Sequence, residues 1–177
     1  MAMPVVTGSV GPRTKDGQRN WGFTGELLLR ACRAHDSNEL WSLLEQLSFT
    51  DRKGRTFTAP KGMVTDLASI PAVFKTLFAG IDHRLAGAIH DALYLFAMNY
   101  RLTRVECDQL FGEMCECLGA SGVLKWMAET GLRVGGWHSW EECRTLGVRW
   151  GDFDTSRLSA QEISDYRLLY DLDRFAS

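Results

Sequence analysis

His90 and Asp91 stand side by side in an otherwise apolar stretch, AIHDALYLF at residues 88–96. Tyr94 follows His90 by four residues, so on a helix the two side chains share a face. Asp108 lies on the next predicted helix, and an antiparallel return would bring it to the level of His90 or Tyr94. A carboxylate on one imidazole nitrogen fixes the tautomer and frees the other nitrogen as a base. The spacing therefore predicts that His90 is a general base, oriented by Asp108 and Tyr94.

A polar loop before this helix, KGMVTDLASIP at residues 61–71, supplies a further group of candidate residues. Polar side chains on a loop beside a rigid scaffold are common components of sites. We expect Ser69 to donate a hydrogen bond to substrate. Asp66 and Asp91, with Asp108 nearby, would offer hard oxygen ligands, and such ligands suit Ca²⁺ or Mg²⁺. The sequence thus predicts a metal held by Asp91 and Asp66.

The same residues also fit a purely structural role. His90 and Asp91 would then form a satisfied buried polar pair that fixes the register of the helix. Asp66 and Ser69 would cap the next helix and tie a turn, as these residue types often do. The sequence leaves both interpretations open.

Strand signals dominate the segment that leads to this loop. TFTAP at 56–60 alternates polar and apolar residues, and DRKGR at 51–55 predicts a hairpin turn in which Gly54 takes a positive φ angle. GELLLRAC at 25–32 fits a strand, whereas ELWSLLEQLSFT at 39–50 suits either a helix or strands. The pattern predicts a small antiparallel β-sheet.

Helix signals dominate after Pro71. A first helix runs through residues 83–98, with Leu85, Ile89, Leu93 and Phe96 on its apolar side. Thr103 and Glu106 form a capping box that opens a second helix, which ends at Gly119. A third helix begins near Ser121, and RVGGWHSWEE ends or bends it. In that last stretch Trp137, His138 and Trp140 fit either a ligand platform or the closing contact of the core.

The last part of the chain forms an amphipathic helix opened by a second capping box, Ser159 to Glu162. This helix would pack on its own domain or on a partner subunit. We therefore expect an α+β fold in which a small antiparallel sheet is followed by a three-helix half and a C-terminal amphipathic helix. The domain prediction is a flexible arm at 1–20, one α+β domain at 21–150 and a helical extension at 151–177.

Net charge and hydropathy argue against two classes of protein, nucleic-acid binders and membrane-spanning proteins. The formal net charge of −2 gives no global field for nucleic acid, so we predict no nucleic-acid binding. No window reaches the roughly 18 apolar residues of a membrane span, and the start has no signal-peptide pattern. We expect the protein in the cytoplasm where it is made, with virion association as a further expectation. The five cysteines are expected to be free thiols, and Cys107 is expected to be a core residue rather than a nucleophile.

Several motifs in order, TDLASIP, AIHDALY, TRVECDQLFGEM and GLRVGGWHSW, resemble an uncharacterised family of phage, prophage and bacterial proteins. This family is the domain of unknown function numbered thirteen fifty-three, and the resemblance covers roughly residues 40–145. It implies a setting of phage late genes, where virion and lysis proteins are encoded. On that basis the expected partners are other virion proteins, bound through the N-terminal arm and the C-terminal helix.

A second, shorter resemblance joins HDALY to ECDQLFGEMCECL, which is similar to the His-Asp-x-x-Tyr helix of secreted phospholipases A2 and the Asp-bearing helix that follows it. By that resemblance His90 would activate a water, Asp91 would bind Ca²⁺, and Tyr94 and Asp108 would orient His90. The sequence accordingly predicts a phage-type protein with a His/Asp site, a metal-assisted hydrolase of cell-envelope material. The alternative is a non-catalytic tail, neck, baseplate or assembly protein.

Overall fold

Two small antiparallel sheets and six α-helices make up the part of the chain that the computed structural model describes, residues 21–35, 38–67 and 83–172. The predicted N-terminal arm at 1–20 and Ser69 lie outside the described residues. The α+β class predicted from the sequence is confirmed.

The first sheet is built around the predicted hairpin. Its strands are β1 (Gly22–Thr24), β4 (Leu47–Thr50) and β5 (Thr56–Ala59), in the order β1-β4-β5. Between β4 and β5, Gly54 adopts a φ of 79°, as the turn prediction required. The buried Asp51 carboxylate accepts hydrogen bonds from the backbone of Lys53 (2.9 Å) and Arg55 (2.8 Å), and these bonds close the turn.

The second sheet contains β2 (Leu29–His35), β3 (Asn38–Leu43) and β6 (Val64–Thr65), in the order β2-β3-β6. The sequence predicted one sheet. The structure has two because the stretch 39–50 is divided between β3 and β4 by a polar break at Glu45 and Gln46, both of which are exposed. Strand β6 pairs with β3 through Thr65 opposite Trp41, so the polar loop starts from a sheet.

The helices of the described part are α1 (His83–Leu95), α2 (Ala97–Tyr100), α3 (Arg104–Cys117), α4 (Gly122–Gly135), α5 (Trp137–Leu146) and α6 (Ala160–Leu169), with 3₁₀ turns at Trp150–Asp152 and Thr155–Arg157. None of these helices is long and apolar enough to cross a membrane. The predicted three-helix half differs in detail. Gly136 keeps right-handed helical angles (φ −79°, ψ −1°), so the chain starts a new helix, α5, directly after α4.

The predicted helix starts are confirmed. The Thr103 hydroxyl accepts from the Glu106 backbone at 3.3 Å, and the Glu106 carboxylate accepts from the Thr103 backbone at 2.8 Å. The same reciprocal bonds join Ser159 and Glu162 at the start of α6. Each pair satisfies donors that a helix end otherwise leaves open.

The core lies where α1 packs against β5 and α3. The predicted apolar side of α1 is fully buried, with Leu85, Ile89 and Leu93 all at 0% exposure. The helix predicted over 83–98 ends at Leu95, and the four-residue helix α2 lies in the connection to α3, against which α1 packs. This pairing places the polar positions of α1 beside α3.

The C-terminal extension packs on the body of the domain. The Tyr166 hydroxyl donates to the Lys61 carbonyl at 3.1 Å, and the Lys61 ammonium lies 3.1 Å from the Glu162 carboxylate. Tyr170 stacks on Phe96 with ring centroids 4.4 Å apart. Of the two packing modes considered from the sequence, these contacts show self-packing of α6.

Arg101, which ends α2, offers a simple stability test. Its φ of 55° and ψ of 43° are left-handed, a conformation that costs a side chain about 1–2 kcal/mol relative to glycine. We expect Arg101→Gly to raise the free energy of unfolding by about 1 kcal/mol, measured by urea denaturation. Arg101→Ala is the matched control because it keeps the Cβ atom. An equal gain in both variants would contradict the conformational explanation.

Candidate functional site

The His90, Tyr94 and Asp108 side chains meet between α1 and α3. The Asp108 Oδ1 atom accepts a hydrogen bond from the Tyr94 hydroxyl at 2.6 Å. The same oxygen lies 3.4 Å from His90 Nε2. Helical spacing puts His90 and Tyr94 on one face of α1, and the return of the chain supplies Asp108. The structure thus brings together the three residues that the sequence placed in one catalytic unit.

Aromatic rings surround this polar cluster. The His90 ring lies 4.3 Å from the Tyr94 ring and 5.1 Å from the Phe111 ring, measured between centroids. The Trp140 and Tyr94 rings meet edge to face, with centroids 5.2 Å apart. His90 is 3% exposed and Asp108 only 1% exposed. A hydrogen bond in such surroundings is stronger than in water, and an unpaired polar group there is more costly.

Burial raises the pKa of the Tyr94 hydroxyl far above its ordinary value, and the hydrogen bond and charge of Asp108 act in the same direction. Tyr94 is therefore a neutral donor at any physiological pH. Its role in the cluster is to hold Asp108, not to act as a base or a nucleophile.

Arg104 connects the cluster to the junction of α4 and α5. Arg104 precedes Asp108 by four residues on α3, and their closest charged atoms, Nη1 and Oδ2, are 4.0 Å apart. The guanidinium donates to the backbone carbonyls of Leu132 (3.3 Å) and Arg133 (3.1 Å) at the end of α4. Within the described residues, Asp108 Oδ2 accepts no hydrogen bond. The Arg104 guanidinium therefore places a positive charge near the Asp108 carboxylate, while it donates its hydrogen bonds to backbone carbonyls of α4.

The Asp91 carboxylate has a different partner from the Asp108 carboxylate. Its carboxylate accepts a hydrogen bond from the Thr65 hydroxyl, which also accepts from the Leu67 backbone at 2.8 Å. Leu67 has a φ of 63°, a rare conformation for a residue with a large side chain. These contacts tie the start of the polar loop to α1 beside His90. Sequence reasoning overlooked Thr65, although its hydroxyl lies next to the predicted Asp66.

The predicted metal ligands are only partly assembled. Asp66 comes directly after Thr65 in the sequence, and its side chain is half-buried. Asp108 instead accepts a hydrogen bond from Tyr94 and faces His90. Within the ranges that the structure describes, no group of three or more His, Cys, Asp or Glu side chains is arranged to hold a metal ion. Asp91 and Asp66 remain candidate oxygen ligands, and no chemical step is assigned to a metal.

The thiol groups are free, and those on α3 are buried. Burial raises the pKa of Cys107 to about 12, and the negative charges of Asp108 and Glu106 add to the effect. The Cys107 thiol lies 3.7 Å from the Leu93 carbonyl. Cys107 is accordingly a core residue, as the sequence predicted.

These thiols provide a second test. We expect Cys107 and Cys115, whose pKa burial also raises to about 12, to resist a thiol reagent at about pH 8 in the folded protein. Both should react after unfolding. Mass spectrometry of the labelled peptides measures this directly. Rapid labelling of native Cys107 would show that the interface between α1 and α3 opens.

The tryptophan segment divides into two environments. Trp140 is buried against Tyr94, whereas Trp137 is 59% exposed and lies under the Arg104 guanidinium at 5.6 Å. His138 is exposed. Trp140 therefore serves the core, and the three residues of this segment do not form one continuous platform.

Residues 41–131 match the family described as "Protein of unknown function (DUF1353)". The chain belongs to this family. The matched segment of DUF1353 contains every polar residue of the cluster together with Arg104, Asp91 and Thr65. Helices α5 and α6 lie beyond it. No curated protein and no solved structure matches the chain.

Proposed function

We propose that this DUF1353 protein is a phage-type hydrolase in which His90 activates a water for attack on cell-envelope material. One observation carries the proposal: Asp108 Oδ1 accepts from Tyr94 and faces His90 Nε2 among packed aromatic rings. A histidine held in this way through Nε2 presents Nδ1 as its basic atom. Tyr94 fixes the carboxylate, so the imidazole has one preferred orientation.

The neighbouring pair of Thr65 and Asp91 suits substrate positioning. The Thr65 hydroxyl connects the polar loop to the helix that carries His90, and Asp91 is only half-buried. Ser69, two positions beyond Leu67 in the sequence, is proposed as a hydrogen-bond donor to substrate. Ca²⁺ or Mg²⁺ at Asp91 and Asp66 would add polarisation of a bound carbonyl or phosphoryl oxygen.

Hydrolysis assays on ester, phospholipid and peptidoglycan substrates test the proposal. We expect His90→Asn and Asp108→Asn to lose about 100-fold or more of the activity, since general-base catalysis contributes roughly 10²–10⁴. His138→Asn is the matched control, because His138 is an exposed histidine outside the cluster. Full activity in His90→Asn would overturn the assignment of His90 as the base. Activity in no substrate class would overturn the hydrolase proposal.

A second candidate function rests on the burial of the same cluster. His90 and Asp108 are nearly inaccessible and packed among aromatic rings, an arrangement typical of internal bracing. The protein would then be a non-catalytic virion or assembly component. Mass spectrometry of purified particles tests this function, and absence of the chain from particles would count against it. Bracing also predicts that His90→Ala lowers the free energy of unfolding by about 2 kcal/mol or more.

A further inference from the structure

One face of the molecule combines exposed apolar side chains with a groove, and we call it the α6 face. Leu168 is 81% exposed and Leu169 61% exposed on α6, and Met98 on α2 is 68% exposed. The groove has a volume of about 400 Å³ and lies between α2, the end of α5 and the end of α6. Arg144 and Asp171 line it. Exposed apolar residues gathered beside a concavity are a common feature of interaction sites.

Helix α6 cannot turn its leucines inward, because its other side is already packed. Tyr166 and Tyr170 face the body of the domain, where each ring contacts Phe153 at 5.3 and 5.7 Å respectively. Tyr170 also stacks on Phe96. Leu168 and Leu169 are therefore held on the solvent side by the tyrosine contacts, as a protruding pair next to the groove.

The two charges that line the groove have opposite signs. Arg144, near the end of α5, and Asp171, just after α6, are both exposed. Neither forms an ion pair with another residue in the described ranges. Asp171 also holds a left-handed backbone angle, φ 51°, where glycine would be unstrained. The groove thus has a positive side and a negative side.

We propose that the α6 face binds a second copy of this chain to form a two-fold symmetric dimer. In this dimer Arg144 pairs with Asp171 of the second copy, and the two-fold symmetry forms the reverse pair at the same time. The same rotation brings the protruding leucines of one copy towards the groove of the other. The face carries charges of both signs, so a two-fold axis can pair each of them with its opposite on the second copy, which a single-sign surface could not do. Tyr94 of the polar cluster also lines this groove, but the proposal does not depend on the proposed function.

Sedimentation velocity over a micromolar concentration range tests the dimer. We expect the wild-type chain to dimerise and Leu168→Glu to weaken association at least about tenfold, because a buried carboxylate would replace an apolar contact. The matched control is Trp126→Glu, which changes a similarly exposed apolar residue on α4 (66% exposed). It should leave dimerisation unchanged. Circular dichroism checks that both variants fold.

A charge exchange tests the proposed pairing separately. Arg144→Glu and Asp171→Lys should each weaken the dimer, since each creates like-charge contacts across the two-fold axis. The double variant should restore association, because the pairs form again with the signs reversed. A wild-type chain that stays monomeric overturns the proposal. So does a dimer that is unaffected by Leu168→Glu, or a double variant no more dimeric than the single variants.

Discussion

Asp108→Ala is expected to lower the free energy of unfolding by about 3 kcal/mol, because it removes the shared acceptor of a buried network. The Tyr94 hydroxyl and His90 Nε2 would lose their acceptor at a site where water has little access. Arg104 would also lose the carboxylate nearest to it on α3. Chemical denaturation followed by tryptophan fluorescence measures the change.

Two further variants make this test specific. Asp108→Asn keeps an oxygen acceptor for Tyr94, so its loss should be smaller than that of Asp108→Ala. Asp165→Ala removes an exposed carboxylate from α6 and should stay within about 0.5 kcal/mol of wild type. A loss below about 1 kcal/mol for Asp108→Ala would show that Tyr94 and His90 find other partners.

Gly136→Ala is expected to cost about 2 kcal/mol although alanine favours helices, because the junction of α4 and α5 has no room for a methyl group. A Cβ atom at this position would lie 2.6 Å from the Tyr94 hydroxyl and 2.8 Å from the Leu132 carbonyl oxygen. Trp140 and His90 pack against the Tyr94 ring and restrict its movement. The added methyl group would therefore push the Tyr94 hydroxyl away from Asp108 and weaken their hydrogen bond. If the hydrolase proposal holds, activity falls together with stability.

The neighbouring glycine provides the matched control. A Cβ atom at Gly135 would meet no atom within 4 Å, so Gly135→Ala should be neutral or stabilising by about 0.5 kcal/mol. Thermal unfolding gives the melting temperatures of the two variants, which carry the same glycine-to-alanine change one residue apart. Equal melting temperatures would contradict the proposed contact between Gly136 and Tyr94.

The convergence of His90, Tyr94 and Asp108 could be anticipated because it depends on local rules. Helical periodicity fixes which residues of α1 share a face, and the short connection through α2 returns α3 beside it. The capping boxes at Thr103 and Ser159 are equally local, since each is closed by a residue three positions later. These features follow from neighbours in the chain.

The contacts that the sequence did not predict depend on packing between distant elements. The bond from Thr65 to Asp91 requires a sheet strand to dock beside α1, which no local pattern encodes. Arg104 had an obvious partner four residues away, but its hydrogen bonds go to α4. A pair of glycines at 135 and 136 indicated a helix end, yet right-handed angles at Gly136 allow α5 to follow directly.

The packing of the C-terminal segment against the connection between β5 and β6 has a consequence for how the chain folds during synthesis. The Tyr166 hydroxyl bonds to the Lys61 carbonyl across 105 positions of sequence. At about 5–20 residues per second, roughly 5–20 s separate the translation of these two residues. Tyr170 follows Phe96 by 74 positions, so at the same rate the Phe96 ring lacks its stacking partner for roughly 4–15 s and stays exposed as apolar surface on the nascent chain. Ribosome-bound intermediates should therefore aggregate more readily than the finished protein.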